Sequence, residues 1–348
     1  MTVGEQVQGR AREQVRGLMA RAGVPASRIA GHTALTGGTY NALYAVDLTD
    51  GTRLVLKVPP PPHTPRLSYE AELLRGEASF YESAAGAGVP APRVVRAEPA
   101  ESADEPPYLL MTHCPGTPWH LVGADIDDAE QDRLRTALGG LVARLHAVRG
   151  PGFGYPAQSL APLADRWAPA FAAMAEALLA DAEAYGAGLP VPVPELRAAF
   201  AAAGPLLAEV TVPALVHFDL WPGNVLLDGP AGDRTVSGLI DGERMFWGDP
   251  LADFASLSLL YADPAAGPEG DAAFLAGYGA GGGRTDFDAA ARRRIALYRC
   301  YLYLIMLTET VPRATTGEQL AWTRDFAGPR LVAALGVLRG DEAARADG

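Results

Sequence analysis

Two short stretches constrain this chain more than any others: LVHFDLWPGNVLLDG at residues 215–229 and LIDGERMFWGDPLADFA at residues 239–255. They set His217, Asp219 and Asn224 between apolar runs, then Asp241 after the next run. Asn224 follows Asp219 by five positions, and Asp241 follows Asn224 by seventeen. A single Asp or Asn in a loop most often caps a turn. Four polar residues in this order, flanked by LV and NVLL, point instead to one carboxylate acting as a base. The amide of Asn224 and the carboxylate of Asp241 then supply hard oxygen ligands for Mg²⁺. Transfer of a phosphoryl group needs this set, because anionic phosphate repels an incoming nucleophile until cations sit on its oxygens.

The chain has 348 residues, enough for two lobes and a sizeable core. Hydrophobic content of 49% with 20% charged residues describes an ordinary globular chain. A net charge of −12 repels nucleic-acid phosphates and argues against that class of partner. The charged N-terminus lacks the apolar core of a secretory signal, and no stretch is long and apolar enough to span a membrane. A cytoplasmic location is the expectation, as a monomer or dimer. Cys114 and Cys300 have neither metal-type nor redox-type spacing and are expected to be buried.

Residues 4–22 read as an opening helix. Strands are expected at Arg28–Thr36, Leu43–Leu48 and Arg53–Val58, with Asp50-Gly51 turning the last two into a hairpin. A helix is expected over Leu67–Ala85, then strands at Arg93–Ala97 and Pro107–Thr112. Beyond Cys114-Pro115-Gly116 the pattern is helical: Ile126–Val148, Leu160–Ala184 and Pro194–Glu209, and, after a strand pair within 213–241, four more helices. The expected class is α+β and bilobal. A small antiparallel sheet with one helix occupies residues 1–111, a linker 112–117, and a mainly helical lobe 118–348 with an insertion near 150–210.

Thr36-Gly37-Gly38-Thr39-Tyr40-Asn41 joins the first two strands, where glycines let backbone N–H groups approach phosphate oxygens. Alone this turn is weak; it gains weight from Lys57 at the end of the LVLKV strand. Gly37, Gly38, Thr39, Tyr40, Asn41 and Lys57 are therefore the candidate phosphate-binding set. A lysine so placed needs a carboxylate, and Glu77 on the following helix is the choice, with Glu72 in reserve. The strand Tyr108–Thr112 running into His113-Cys114 offers backbone groups of Met111, Thr112 and Cys114 to a nucleotide base.

With these residues assembled, the chain resembles the aminoglycoside phosphotransferase and choline/fructosamine-kinase group of the protein-kinase-like fold. HFDLWPGN is similar to the group's H-G-D-x-x-x-x-N element, and LIDGERMFWGDPLADFA to its I-D-W-E…G-D-P-x-x-D-L-A element. YLLMTHCPG, LARLHAVRGPGFG and EASFYESAAGAGVPAPRVV resemble the linker, the following helix and the Glu-bearing helix. The resemblance implies Asp219 as catalytic base, Asn224 and Asp241 as Mg²⁺ ligands, and a Lys57–Glu77 ion pair. It implies that His217 and Asp253 brace the catalytic loop, and that ATP or GTP is the donor. Two positions depart from the pattern: Phe218 stands where a small residue is usual, and Gly242 where Trp is usual.

The acceptor is expected to be a small molecule with a hydroxyl, held by residues such as Tyr155, Asp165, Trp167, Trp221, Phe246 and Trp247. Sugar rings stack on aromatic faces, and cationic amines favour carboxylates. A sugar-containing antibiotic is the leading expectation. A metabolic kinase acting on a ketosamine, choline or amino-alcohol is the second, and a nucleotide-binding pseudokinase the third.

Overall fold

Leu54, Leu56 and Val58 alternate with Val55 and Lys57 along strand β3 (Arg53–Val58), giving one apolar face and one face that carries a cation. The other strands of its sheet are β1 (Ile29–Ala34), β2 (Ala42–Leu48), β4 (Val94–Glu98) and β5 (Tyr108–Thr112). In the computed structural model, which describes residues 3–35, 40–98, 106–259 and 267–341, these pair antiparallel in the order β1–β2–β3–β5–β4. Helix α1 (Val3–Arg21) sets Val15, Leu18 and Met19 into one core with Leu54, Leu56, Val58, Tyr108 and Leu110. Register places Lys57 opposite Leu43 on β2 and Leu109 on β5, on the other face.

Backbone contacts divide the chain into two units, Met1–Thr64 with Pro92–Cys114, and Pro65–Ala91 with Pro115–Gly348. The sheet makes the first. Helix α2 (Leu73–Gly86), which carries Glu77, counts with the second, whereas the sequence reading kept it in the first lobe. The α+β class, with an antiparallel sheet and a mainly helical remainder, is as expected.

The second unit continues through β6 (Thr117–Pro118), α3 (Trp119–Val122), α4 (Asp128–Ala147), α5 (Trp167–Tyr185), α6 (Val193–Ala202) and α7 (Gly204–Leu207). Strands β7 (Ala214–Val216), β8 (Val225–Asp228), β9 (Thr235–Leu239) and β10 (Phe246–Gly248) follow, then α8 (Asp253–Leu257), α9 (Ala272–Ala280), α10 (Ala289–Thr308) and α11 (Gly317–Arg339). Two small sheets, β6–β8–β9 and β10–β7, leave the loops after β7 and β9 as the bearers of the polar motif residues.

Two expected helices start late, for local reasons. The expected Leu67–Ala85 helix is interrupted: the Glu70 carboxylate takes the Leu67 N–H at 2.7 Å and pairs with Arg313 at 2.7 Å, and Glu72 has φ +59°. A side chain that satisfies its own backbone competes with the helix. The expected Leu160–Ala184 helix begins at Trp167, because Phe153 and Ala164 exchange backbone hydrogen bonds of 2.8 and 2.9 Å.

Helices α4 and α9 approach through glycine. A Cβ on Gly277 would overlap the Thr136 carbonyl, and one on Gly139 the Phe274 carbonyl. Backbone cannot swing aside as a side chain can. Gly277→Ala should therefore lower stability by about 1–3 kcal/mol through overpacking, read as a lower denaturation midpoint with an unchanged slope.

Candidate active site

The loop between β7 and β8 is held from below by one carboxylate. Asp253, at the start of α8, is fully buried and accepts the N–H of His217 at 3.2 Å and of Phe218 at 2.6 Å. Ser256, one turn later, takes the Leu220 N–H at 2.9 Å. His217 is also buried, and burial lowers its pKa, so the ring is neutral. Its Nε2 donates to the Ile240 carbonyl at 3.0 Å and its Nδ1 accepts the Asp219 N–H at 3.2 Å. The imidazole thus ties Asp219 to the end of β9; both ring nitrogens are engaged.

Asp219 keeps partial access to solvent. Its carboxylate receives Asn224 Nδ2 at 3.1 Å, and the same nitrogen donates to the Asp219 carbonyl at 2.8 Å. Asn224 therefore turns its amide oxygen the other way. Burial pushes the Asp219 carboxyl up to about 6, against the pull of Arg244 and with repulsion from Asp241, Glu243 and Glu309. A carboxylate poised there stays largely ionised at neutral pH and takes up a proton more readily than an ordinary Asp.

Asp241 follows β9 with φ +60°, in the left-handed region that Asp tolerates better than most residues. Its N–H donates to the Tyr81 hydroxyl at 3.0 Å, and that hydroxyl donates to Glu77 Oε1 at 2.7 Å. Glu77, Asp241 and Glu243 each offer a carboxylate oxygen within 4.8 Å of the others. Hard oxygens so gathered suit Mg²⁺. Sequence reasoning named Asn224 and Asp241 for this work and missed Glu243. The signal was available, since Glu243 lies two residues after Asp241 in the quoted motif.

A second missed group lies on the same turn. Arg244 pairs with Glu309 at 3.0 Å, Glu309 with Arg313 at 2.8 Å, and Arg313 with Glu70 at 2.7 Å. Glu70 thus belongs to this chain of charges and not to the helical face of Glu77. Glu72 is half-buried and pairs with Arg75 at 2.8 Å.

The two departures from the family pattern have packing explanations. Phe218 has φ +64°, where glycine is at ease and other residues carry about 1 kcal/mol of strain. Its ring is wholly buried, 5.1 Å from Phe246 and 5.8 Å from Tyr301, and that burial offsets the strain. At Gly242 a Cβ would overlap the ring of Phe80. The buried Phe80 ring, edge-on to His217 at 4.7 Å, occupies the space that a side chain at 242 would take.

The remaining expected residues fall as follows. Gly37, Gly38 and Thr39 lie outside the described residues; Tyr40 is half-buried and Asn41 buried just before β2. Lys57 is buried on β3 of the first unit, whereas Glu77 lies in the second. Met111 is buried on β5, and Cys114 is half-buried with its thiol pushed up to about 11 by burial. The Thr112 N–H is already bonded to the Arg93 carbonyl at 2.9 Å, which removes it from the groups expected to meet a base.

Of the acceptor candidates, Trp167 and Phe246 are fully buried and stack at 5.5 Å within an aromatic core that includes Phe171 and Tyr298. They have no surface to offer a ligand, because aromatic burial outweighs any gain from exposing them. Tyr155 is buried with its hydroxyl 3.0 Å from that of Tyr301, and Trp247 is buried. Asp165 is exposed, and Trp221 half-buried beside His120 at 5.1 Å.

The Asp219 carboxylate locked to Asn224, near clustered carboxylates on a strand-end turn, sits in a kinase-like α+β fold. Residues 31–296 match the phosphotransferase enzyme family, and the chain belongs to it. It is 28% identical to viomycin phosphotransferase of Streptomyces vinaceus over 201 residues, 56% of this chain and 64% of that relative, so the match spans under two thirds of the relative's length. Among solved structures, a candidate fructosamine-3-kinase of Thermobifida fusca matches with TM-score 0.61 and 23% identity, covering 90% of this chain and 98% of that one. The GDP complex of aminoglycoside 2'-phosphotransferase-IIIa matches with TM-score 0.60 and 19% identity, covering 92% and 98%. A macrolide 2'-phosphotransferase of Brachybacterium faecium matches with TM-score 0.51 and 20% identity, covering 92% and 98%. At these identities the structures speak for the fold. No helix among the described residues is long and apolar enough to cross a membrane.

The Phe80–Gly242 fit gives a direct check. Gly242→Ala should destabilise by about 1–3 kcal/mol, and Phe80→Ala in the same chain should offset part of that loss. A double-mutant cycle on thermal unfolding reads the coupling, and additive effects would refute the fit.

Proposed function

We propose that this protein transfers the γ-phosphoryl group of ATP or GTP to a hydroxyl of a small sugar-containing antibiotic, an aminoglycoside, a nucleoside or a similar compound. The observation that carries the reading is the Asp219 carboxylate, held by Asn224 beside the carboxylates of Glu77, Asp241 and Glu243. Asp219 accepts the acceptor hydroxyl's proton as the oxygen attacks. Asn224 and Asp241, with Glu243 and Glu77 in the same acidic group, would hold Mg²⁺, which supplies positive charge to the phosphate oxygens when bound. Lys57 serves as the cation for the nucleotide phosphates, and the Gly37-Gly38-Thr39-Tyr40-Asn41 turn supplies backbone N–H groups to them. The carbonyl of Thr112 and the backbone of Cys114 take the base. His217 and Asp253 hold the loop in register.

The antibiotic acceptor is supported by the likeness to viomycin phosphotransferase and to aminoglycoside and macrolide phosphotransferase structures. The likeness to a candidate fructosamine-3-kinase, together with the DLWPGN run, favours a metabolic small-molecule acceptor as the second reading. Trp221 and Asp165 keep surface that an acceptor could meet.

Turnover decides between these readings. Purified protein with Mg²⁺ and ATP or GTP is offered a panel of aminoglycosides, peptide antibiotics, macrolides, nucleosides, fructosamines and amino-alcohols, and nucleoside diphosphate is measured. Acceptor-dependent release with one antibiotic class supports the first reading, and release with a ketosamine or amino-alcohol the second. No release with any of them favours a nucleotide-binding regulator.

Two variants test the assigned roles. Asp219→Asn should lower kcat by about 10²–10⁴ while nucleotide affinity is kept, since only the base is removed. Equal loss of nucleotide affinity would reassign the residue. Glu243→Gln should raise the Mg²⁺ concentration for half-maximal turnover by about tenfold, and Mn²⁺ binding followed by electron paramagnetic resonance should weaken in parallel.

A further inference from the structure

The charges that act most on Asp219 are those of Arg244, Asp241, Glu243 and Glu309. Asp241 and Glu243 belong to the acidic group with Glu77, which leaves Arg244 and Glu309 to meet an acceptor brought to Asp219. Those two are not separate charges. Glu309, at the end of α10, pairs with Arg244 at 3.0 Å and with Arg313 at 2.8 Å. Arg313 pairs in turn with Glu70 at 2.7 Å, and the other Glu70 oxygen takes the Leu67 N–H at 2.7 Å. Two cations and two anions sum to zero, and no side chain of the four is more than 17% exposed. The inserted helices repeat the pattern. Glu176 and Glu183 share Arg197 at 2.9 and 3.0 Å, and Asp181 takes the N–H and hydroxyl of Ser68 at 2.7 and 2.6 Å. Asp165 adds one exposed charge, which water and salt screen.

We propose that the acceptor is an uncharged, hydroxyl-rich glycoside, and that the Glu70–Arg313–Glu309–Arg244 chain makes the site reject polycations. The inference rests on the phosphotransfer reading and narrows the acceptor class of that same site. A polycation is held by carboxylates whose charge is not already answered. Here an ammonium brought to Glu309 must displace a guanidinium from a largely buried pair, and a displaced buried charge is costly. It also meets Arg244, a like charge that cannot be shed, because a guanidinium stays protonated. An uncharged ring carries neither penalty. Its hydroxyls donate to carboxylate oxygens and accept from guanidinium N–H groups, so one ion pair serves both roles of a hydroxyl. The pair stays closed while it does so, and no buried charge loses its partner.

The test sets kanamycin, a polycation, against uncharged glycosides. Turnover with Mg²⁺ and ATP or GTP is measured at about 20 and 200 mM KCl. An uncharged glycoside should be turned over, with a KM that changes by less than about twofold between the two salts. Calorimetry of kanamycin against protein loaded with Mg²⁺ and a non-hydrolysable nucleotide needs no turnover. Wild type should bind it more weakly than about 1 mM. Arg313→Gln leaves Glu70 and Glu309 one cation short. It should bind kanamycin at least about tenfold more tightly at low salt and lose that gain at about 0.5 M KCl. Arg313→Lys, and the Arg313→Gln/Glu70→Gln double variant with its charge balanced again, should stay near wild type.

Wild-type binding of kanamycin tighter than about 1 mM, or turnover of any polycation, overturns the proposal. So does an unchanged affinity in Arg313→Gln, or an equal gain in the double variant, which marks loosened packing and not charge. If Arg313→Gln does not fold, the wild-type affinity decides. Absence of turnover with every acceptor sinks the phosphotransfer reading, and the binding comparison still decides whether the site rejects polycations.

Discussion

One buried carboxylate carries the architecture of the second unit. Asp253 has no exposed surface, and an unpaired charge in that position would cost several kcal/mol. It is stable there because the N–H groups of His217 and Phe218 and the imidazole of His146 converge on it. Those donors come from the loop after β7 and from α4, so satisfying Asp253 fixes the loop against two helices at once. Ser256, on the same helix as Asp253, takes the next loop amide, that of Leu220. Asp219 then follows a backbone with little freedom left, which holds its carboxylate in one geometry.

The two unusual residues at the site belong to one packing solution. Phe218 accepts a backbone conformation that suits glycine and places its ring in the aromatic core with Phe246 and Tyr301. Gly242 leaves room for Phe80, whose ring packs nearly perpendicular to that of His217. A small residue expected at 218 is large, and a large residue expected at 242 is absent. One change fills the aromatic core beneath the loop, and the other lets Phe80 pack against the buried His217.

Charge is partitioned in a similar way. Glu77, Asp241 and Glu243 bring carboxylate oxygens within 4.8 Å of one another, a group of hard donors that suits a divalent ion. Nearby, Glu309 and Glu70 are taken up by Arg244 and Arg313. Asp219 feels both groups: the acids raise its pKa and Arg244 lowers it. Carboxylates with the same intrinsic acidity are therefore raised in pKa, gathered into a cluster of hard oxygens or held in ion pairs, according to their neighbours.

Sequence alone determined the class of fold and the identity of Asp219, Asn224, Asp241, His217 and Asp253 as one constellation. Their spacing is set by short strands and turns, and such local geometry is written in adjacent residues. The strands of the sheet were legible for the same reason, through alternation and the Asp50-Gly51 turn. Tertiary structure alone decided the rest. Whether Glu70 sits on the helix of Glu77 depended on Arg313, which lies 243 residues away in the chain. That Trp167 and Phe246 are core residues depended on Phe171 and Tyr298, and that Glu243 joins Glu77 depended on how α2 meets the turn after β9. The bond from Tyr278 to His146 spans 132 positions and required two glycines to let helices close. Residue type and local period say what a side chain can do; only long-range contacts say what it faces.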